Sequence, residues 1–95
     1  MYTHVVLFRV KDPKDASTVA EVLRSMEGQI PELQGLEVGL NDISSQRNYD
    51  VVLITRFLSK EEMQRYQVSA YHQEQVLQRI RPLIAMSAAG DFPSA

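Results

Sequence analysis

Residues 49–57 read YDVVLITRF. Val51, Val52, Leu53 and Ile54 are consecutive, three of them β-branched, and Tyr49 and Phe57 flank them. This is strand composition. The apolar residues do not alternate with polar ones, so both faces of the strand carry apolar side chains. A strand of that kind is covered on both sides. Residues 2–11, YTHVVLFRVK, repeat the pattern. Val6, Phe8 and Val10 fall on one face, Val5 and Leu7 on the other.

The segments around these two strands fill in the order. In DPKDAS, residues 12–17, Asp12 is placed to cap a helix with Pro13 at its first position. Ala16, Val19, Leu23, Met26 and Ile30 follow at three- and four-residue steps, one apolar helical stripe that ends near Gly28 and Pro31. GLEVGLND, residues 35–42, alternates Leu36, Val38 and Leu40 with polar or small residues, as a half-buried strand does. Ser59 and Glu62 form a capping box that opens a second helical region, expected to run to about Arg81 before Pro82. LIAMSAAGDF, residues 83–92, reads as a last strand.

The order β-α-β-β-α-β is that of an α+β, ferredoxin-like sandwich, one antiparallel sheet with both helices on one face. The 95 residues make one domain. Strands one and three are central in that topology. Val6 and Phe8 are expected against the helices. Val5 and Leu7, together with Val51, Leu53 and Phe57, are expected on the helix-free face. No segment remains to cover that face, so a second copy of the same sheet is expected there.

Composition narrows the function. Net charge is −2, with the basic residues scattered. No basic stripe or aromatic–basic interleaving suits nucleic acid. The absence of cysteine removes disulfides, thiolate nucleophiles and cysteine metal sites. No apolar stretch approaches a membrane span, and MYTHVVLFRVKD has no leader pattern. The expected compartment is the cytoplasm. The glycines form no phosphate loop and the two histidines no metal-ligand spacing, so neither cofactor nor metal is expected. Met26, Met63 and Met86 read as core gap fillers.

HVVLFRVKD at 4–12, YDVVLITRFLSKEEMQRYQ at 49–67, YHQEQV at 71–76 and GDF at 90–92 together resemble the stress-responsive dimeric α/β-barrel (Dabb) family. The resemblance spans nearly the whole chain. It implies a homodimer whose two sheets close into a barrel, and most members have no assigned activity. A few plant members are polyketide cyclases that close a linear polyketide by aldol condensation. They use a histidine and a tyrosine in a pocket between sheet and helices. That pattern falls here on His72 and Tyr66, with His4 at the pocket mouth. Ser69 and Ala70 stand where the family commonly reads His-Pro. Cofactor-independent monooxygenases share the architecture.

The residues themselves support two readings. His72 lies on the stripe of Val76 and Ile80, where a histidine is either a hydrogen-bonded core residue or an acid–base group. Tyr66 is core filler or its partner. At about 100° per residue the two would point about 120° apart on a continuous helix. They meet only if the helix breaks, and Val68–Ala70 permits a break because Ser69 is a good N-cap. His4 shares the helix-facing row of Val6 and Phe8. Val6, Phe8 and Val76 are the expected pocket lining. The expectation is a dimeric barrel with a small apolar ligand between sheet and helices. The alternative is a cofactor-free His/Tyr acid–base enzyme with His72 as base, Tyr66 steadying an enolate and His4 orienting.

Overall fold

A computed structural model describes residues 1–95. β1 spans Tyr2–Val10. Asp12 then takes an extended conformation and accepts a hydrogen bond from the Lys14 backbone N–H (3.2 Å), capping a single 3₁₀ turn, Pro13–Asp15. α1 follows over Ala16–Arg24 and buries Val19, Ala20, Val22 and Leu23. Met26 and Ile30 lie beyond the helix yet are buried, because the chain turns back under the sheet. That reversal uses Gly28 at φ 75°, a conformation that a Cβ would strain.

β2 spans Gly35–Leu40 and β3 spans Val51–Phe57. Asp50 fixes the start of β3. Its N–H donates to the Phe8 carbonyl (2.8 Å) and its carboxylate accepts from the Val10 N–H (2.9 Å). α2, Lys60–Gln67, is capped by Ser59, whose Oγ accepts from the Glu62 N–H (3.2 Å). The Glu62 carboxylate pairs with Arg65. A π-helical turn, Tyr71–Leu77, leads into α3, Gln78–Ile80, a closing 3₁₀ turn and β4, Ile84–Pro93.

The four strands form one antiparallel sheet in the order β2-β3-β1-β4. This is the ferredoxin-like arrangement, with the helices on one face and β1 and β3 central. Register decides which side chains share a face, since paired residues of antiparallel strands point the same way. Phe8 pairs with Val51, Val6 with Leu53, and His4 with Thr55. Phe8, His4, Val51, Leu53, Thr55 and Phe57 are all buried beneath the helices.

The sequence-based placement of Val51, Leu53 and Phe57 on the helix-free face is therefore corrected. They belong to the core. The residues opposite Val5 and Leu7 are Ile54 and Val52. Val5, Leu7, Val52 and Ile54 are half-exposed in the protomer and form the apolar centre of the helix-free face. Met86, expected in the core, pairs with Arg9 on that same face and is exposed. β4 is an edge strand left bare by the helices. Ser87, Ala89 and Asp91 pair with Phe8, Val6 and His4, so they face the helical side, yet all three are exposed.

Candidate functional site

The second helical region is broken where Ser69 stands. α2 ends at Gln67, and Val68 is 75% exposed at the joint. The Ser69 N–H donates to the Tyr66 carbonyl (3.1 Å). Ser69 then caps the next segment. Its Oγ accepts from the His72 N–H (3.3 Å) and its carbonyl from the Gln73 N–H (3.0 Å). The carbonyl of Gln67, left without a helical partner, accepts from His72 Nδ1 (3.0 Å) and Gln73 Nε2 (2.6 Å). The Tyr71 hydroxyl donates toward the Ser25 carbonyl and Oγ (3.0 Å each), which pins the turn to the end of α1.

This break brings His72 back onto Tyr66. Their ring centroids are 4.4 Å apart. Phe57 holds the Tyr66 ring from another side at 4.9 Å, and His4 meets it edge-on at 6.3 Å. Tyr66 is fully buried, and its hydroxyl lies 3.6 Å from the Met26 sulfur, a weak acceptor. Burial pushes the phenol pKa far up, so it keeps its proton and is a hydrogen-bond donor at any ordinary pH.

His72 is half-buried. Desolvation lowers its pKa below the usual 6.5, and the charges of His4 and Arg81 push the same way, against the opposing hydrogen bond to Gln67. The ring is therefore neutral at pH 7. A carbonyl only accepts, so Nδ1 carries the proton and Nε2 holds a free lone pair. On the sheet side, His4 Nδ1 is in hydrogen-bond contact with the Asp91 carboxylate across the β1–β4 pair.

All three sequence-derived polar residues, His4, Tyr66 and His72, are thus gathered in one cluster. The lining residues are spread more widely. Phe8 borders a cleft of about 280 Å³ between sheet and helices, with Leu77, Ile80, Arg81, Ile84 and Ser87. Val6 is half-buried one step along the same row, toward His4, and Val76 is sealed in the core. Neither borders the cleft, and the Tyr66–His72 pair does not open into it. A second hollow of about 430 Å³ lies on the helix-free face over Val5, Leu7, Ala88, Gly90 and Phe92. No three His, Asp or Glu side chains converge as a metal-binding group. Sequence reasoning missed Asp91 and Gln67 as partners of the two histidines. The Asp91–His4 contact depends on the β1–β4 register, which joins segments far apart in the sequence, and the Gln67 contact depends on the break itself.

Comparison with known proteins agrees with the fold. The chain matches the stress-responsive A/B barrel domain family over residues 2–94. No curated protein matches. A dimeric ferredoxin-like protein of unknown function from Thermobifida fusca is 26% identical, with a TM-score of 0.82 over 98% of this chain and 90% of the other. An Arabidopsis thaliana protein is 19% identical, with a TM-score of 0.83 over 100% and 96%. A cofactor-independent oxygenase from Streptomyces nogalater, SnoaB, is 16% identical, with a TM-score of 0.72 over 98% and 91%, a likeness of fold alone. With its family pattern matched almost end to end and its sheet order that of the ferredoxin-like barrels, the chain belongs to the stress-responsive A/B barrel (Dabb) family.

Proposed function

We propose that the chain forms a homodimer through its helix-free sheet faces, and that each protomer binds a small, largely apolar ligand between sheet and helices. The dimer is supported by the row Val5, Leu7, Val52 and Ile54, half-exposed in a single protomer, and by the dimeric state named for the Thermobifida fusca relative. The observation that carries ligand binding is the cleft of about 280 Å³ walled by Phe8, Leu77, Ile80 and Ile84. Its size, at the lower end of ligand sites, suits a small molecule. The uncovered row Ser87–Ala89–Asp91 continues from it along the sheet toward His4. A small-fragment screen by amide NMR tests this. Apolar fragments should shift Leu77, Ile80 and Ser87, and Ser87→Trp, which fills the cleft from an exposed strand position, should abolish the shifts. Shifts confined to the helix-free face would sink the reading.

A second reading, cofactor-free acid–base catalysis on a small carbonyl compound, is favoured by the Tyr66–His72 contact. His72 Nε2 takes a proton α to the carbonyl, and the Tyr66 hydroxyl steadies the developing enolate oxygen. Tyr66 is sealed in the core with its hydroxyl beside the Met26 sulfur, so this reading requires the side chains around the Tyr66–His72 pair to part and admit the ligand's oxygen. The fold also carries cofactor-independent oxygen chemistry in SnoaB, so unaided protein groups sustain reactions on it. Hydrogen–deuterium exchange at the α-carbon of an aryl methyl ketone, followed by proton NMR, tests this reading. His72→Ala exchanging as fast as the native chain would end it.

A further inference from the structure

We propose that the cleft between sheet and helices selects a small carboxylic acid in its ionised form, its apolar body against Phe8 and Ile80 and its carboxylate held at the rim by Arg81 and Ser87. The inference rests on the ligand-binding reading and adds the ligand's charge. The cleft of about 280 Å³ is graded in polarity. Phe8 and Ile80 are buried at its floor, Leu77 and Ile84 are half-buried, and Arg81 and Ser87 are exposed. Those last two are the only polar residues of the lining, and no carboxylate is among them.

Both rim groups are aimed by departures from regular structure. Residues three apart on a regular strand point to opposite faces, so Ile84 and Ser87 would not share one. The β1–β4 register shifts, however: Arg9 pairs with Met86 but Val10 pairs with Ile84, which leaves Ala85 as the extra residue of a bulge. Ile84 and Ser87 are therefore opposite Val10 and Phe8, both on the helix-facing row, and both border the cleft. Bulges re-aim side chains in this way. Arg81 opens the 3₁₀ turn Arg81–Leu83 between α3 and β4. The Ile84 N–H donates to the Arg81 carbonyl, and the Lys11 N–H donates to the Leu83 carbonyl (2.9 Å). The backbone under Arg81 is thus tied to the end of β1.

The Arg81 guanidinium has no hydrogen-bond or ion-pair partner within the protein, unlike those of Arg9, Arg24 and Arg65. Asp91, the acidic residue on the same row of β4 as Ser87, is taken up by His4. The Arg81 charge is felt as far as His72, where it is the smallest of the influences that, after burial, lower the imidazole pKa. An apolar cleft with one cation at its rim and no anion repels a cationic ligand. A planar carboxylate matches the guanidinium fork with two parallel N–H···O bonds and can accept a third from the Ser87 hydroxyl. One cation balances one carboxylate, whereas a phosphate group carries nearly two charges and calls for a second cation. The small volume limits the apolar part to one ring or a short chain.

The test is an amide NMR titration of the full chain with 4-ethylbenzoate, 4-ethylbenzamide and 4-ethylphenylphosphonate, which share an apolar body and differ in the head group. The native chain should bind the benzoate about tenfold more tightly than the amide, and more tightly than the phosphonate. Arg81→Gln should bring benzoate and amide within about twofold of each other. Arg81→Lys, which keeps the charge and loses the fork, should fall between. Arg79→Gln removes a neighbouring exposed charge that does not border the cleft, and should leave the preference as it is. Arg81 is exposed, so these variants keep the fold. An amide bound as tightly as the benzoate overturns the proposal while leaving the ligand-binding reading in place. So does a preference that survives Arg81→Gln, one that Arg79→Gln removes equally, or a phosphonate bound tightest. Shifts at Leu77, Ile80 and Ser87 with none of the three probes would refute the ligand-binding reading and this inference together.

Discussion

The rings of Tyr66 and His72 lie 4.4 Å apart although a continuous helix would point them away from each other. The joint at Val68–Ala70 makes the contact, and Ser69 holds the joint by capping the segment that carries His72. Ser69→Ala should cost about 0.5–2 kcal/mol, measured as a lower urea midpoint, and Ser69→Asn should recover most of it. Identical midpoints for all three chains would show that the joint is held by Gln67 and Tyr71 alone.

Parity along β3 separates two kinds of lesion. Leu53 faces the helices with 2% exposure, so Leu53→Ala should destabilise the protomer by about 2–5 kcal/mol. Val52 and Ile54 face away, and lysine at either should split the proposed dimer while the protomer's circular dichroism survives. Light scattering at micromolar concentration gives the check. A Val52→Lys chain that still runs as a dimer would place the interface elsewhere.

That parity was the part of the fold hardest to read from the sequence. Composition alone marks β1 and β3 as two-sided, and a two-sided strand has no polar face to orient it. Thr55 interrupts the row Val51–Leu53–Phe57 with a polar residue, so that row carries no clear mark of the core. Thr55 is nevertheless buried, its hydroxyl donating to the His4 carbonyl at 3.3 Å. Arg56 was the available signal: its exposed side chain shares a row with Val52 and Ile54, outside the core. The element order and the Asp12 and Ser59 caps were legible because each depends on neighbouring residues, and the residues around Ser69 permitted the break without requiring it. The Asp91–His4 contact was not, because its partners come from opposite ends of the chain.

The lowered pKa of His72 makes stability depend on pH with a definite sign. In the unfolded chain the imidazole takes a proton near 6.5, and in the folded one only at lower pH. Between those two values the unfolded state binds more protons, so stability falls as pH drops below about 6.5 and levels off beneath the folded value. Above that window the term is silent. Melting temperatures of the native chain and His72→Asn should therefore diverge between pH 7.5 and pH 5, the native chain losing more. Parallel curves would mean that His72 titrates alike in both states.

Tyr66 and His72 should differ in what their removal does, and that difference separates catalysis from packing. Tyr66→Phe keeps the ring against Phe57 and gives up only a hydroxyl bonded to a thioether, so it should cost under about 1 kcal/mol of stability. In the acid–base reading it removes the donor to the enolate oxygen, and α-proton exchange should fall on the order of 10²–10³-fold. His72→Ala removes the base and should lower exchange on the order of 10²–10⁴-fold. Tyr66→Ala loses the ring as well and should cost about 3–5 kcal/mol, comparable with other buried aromatics. Stability is read from urea unfolding and exchange from NMR in deuterated buffer. If Tyr66→Phe exchanges at the native rate, the phenol is a core ring, its contact with His72 is packing, and the ligand-binding barrel stands without catalysis.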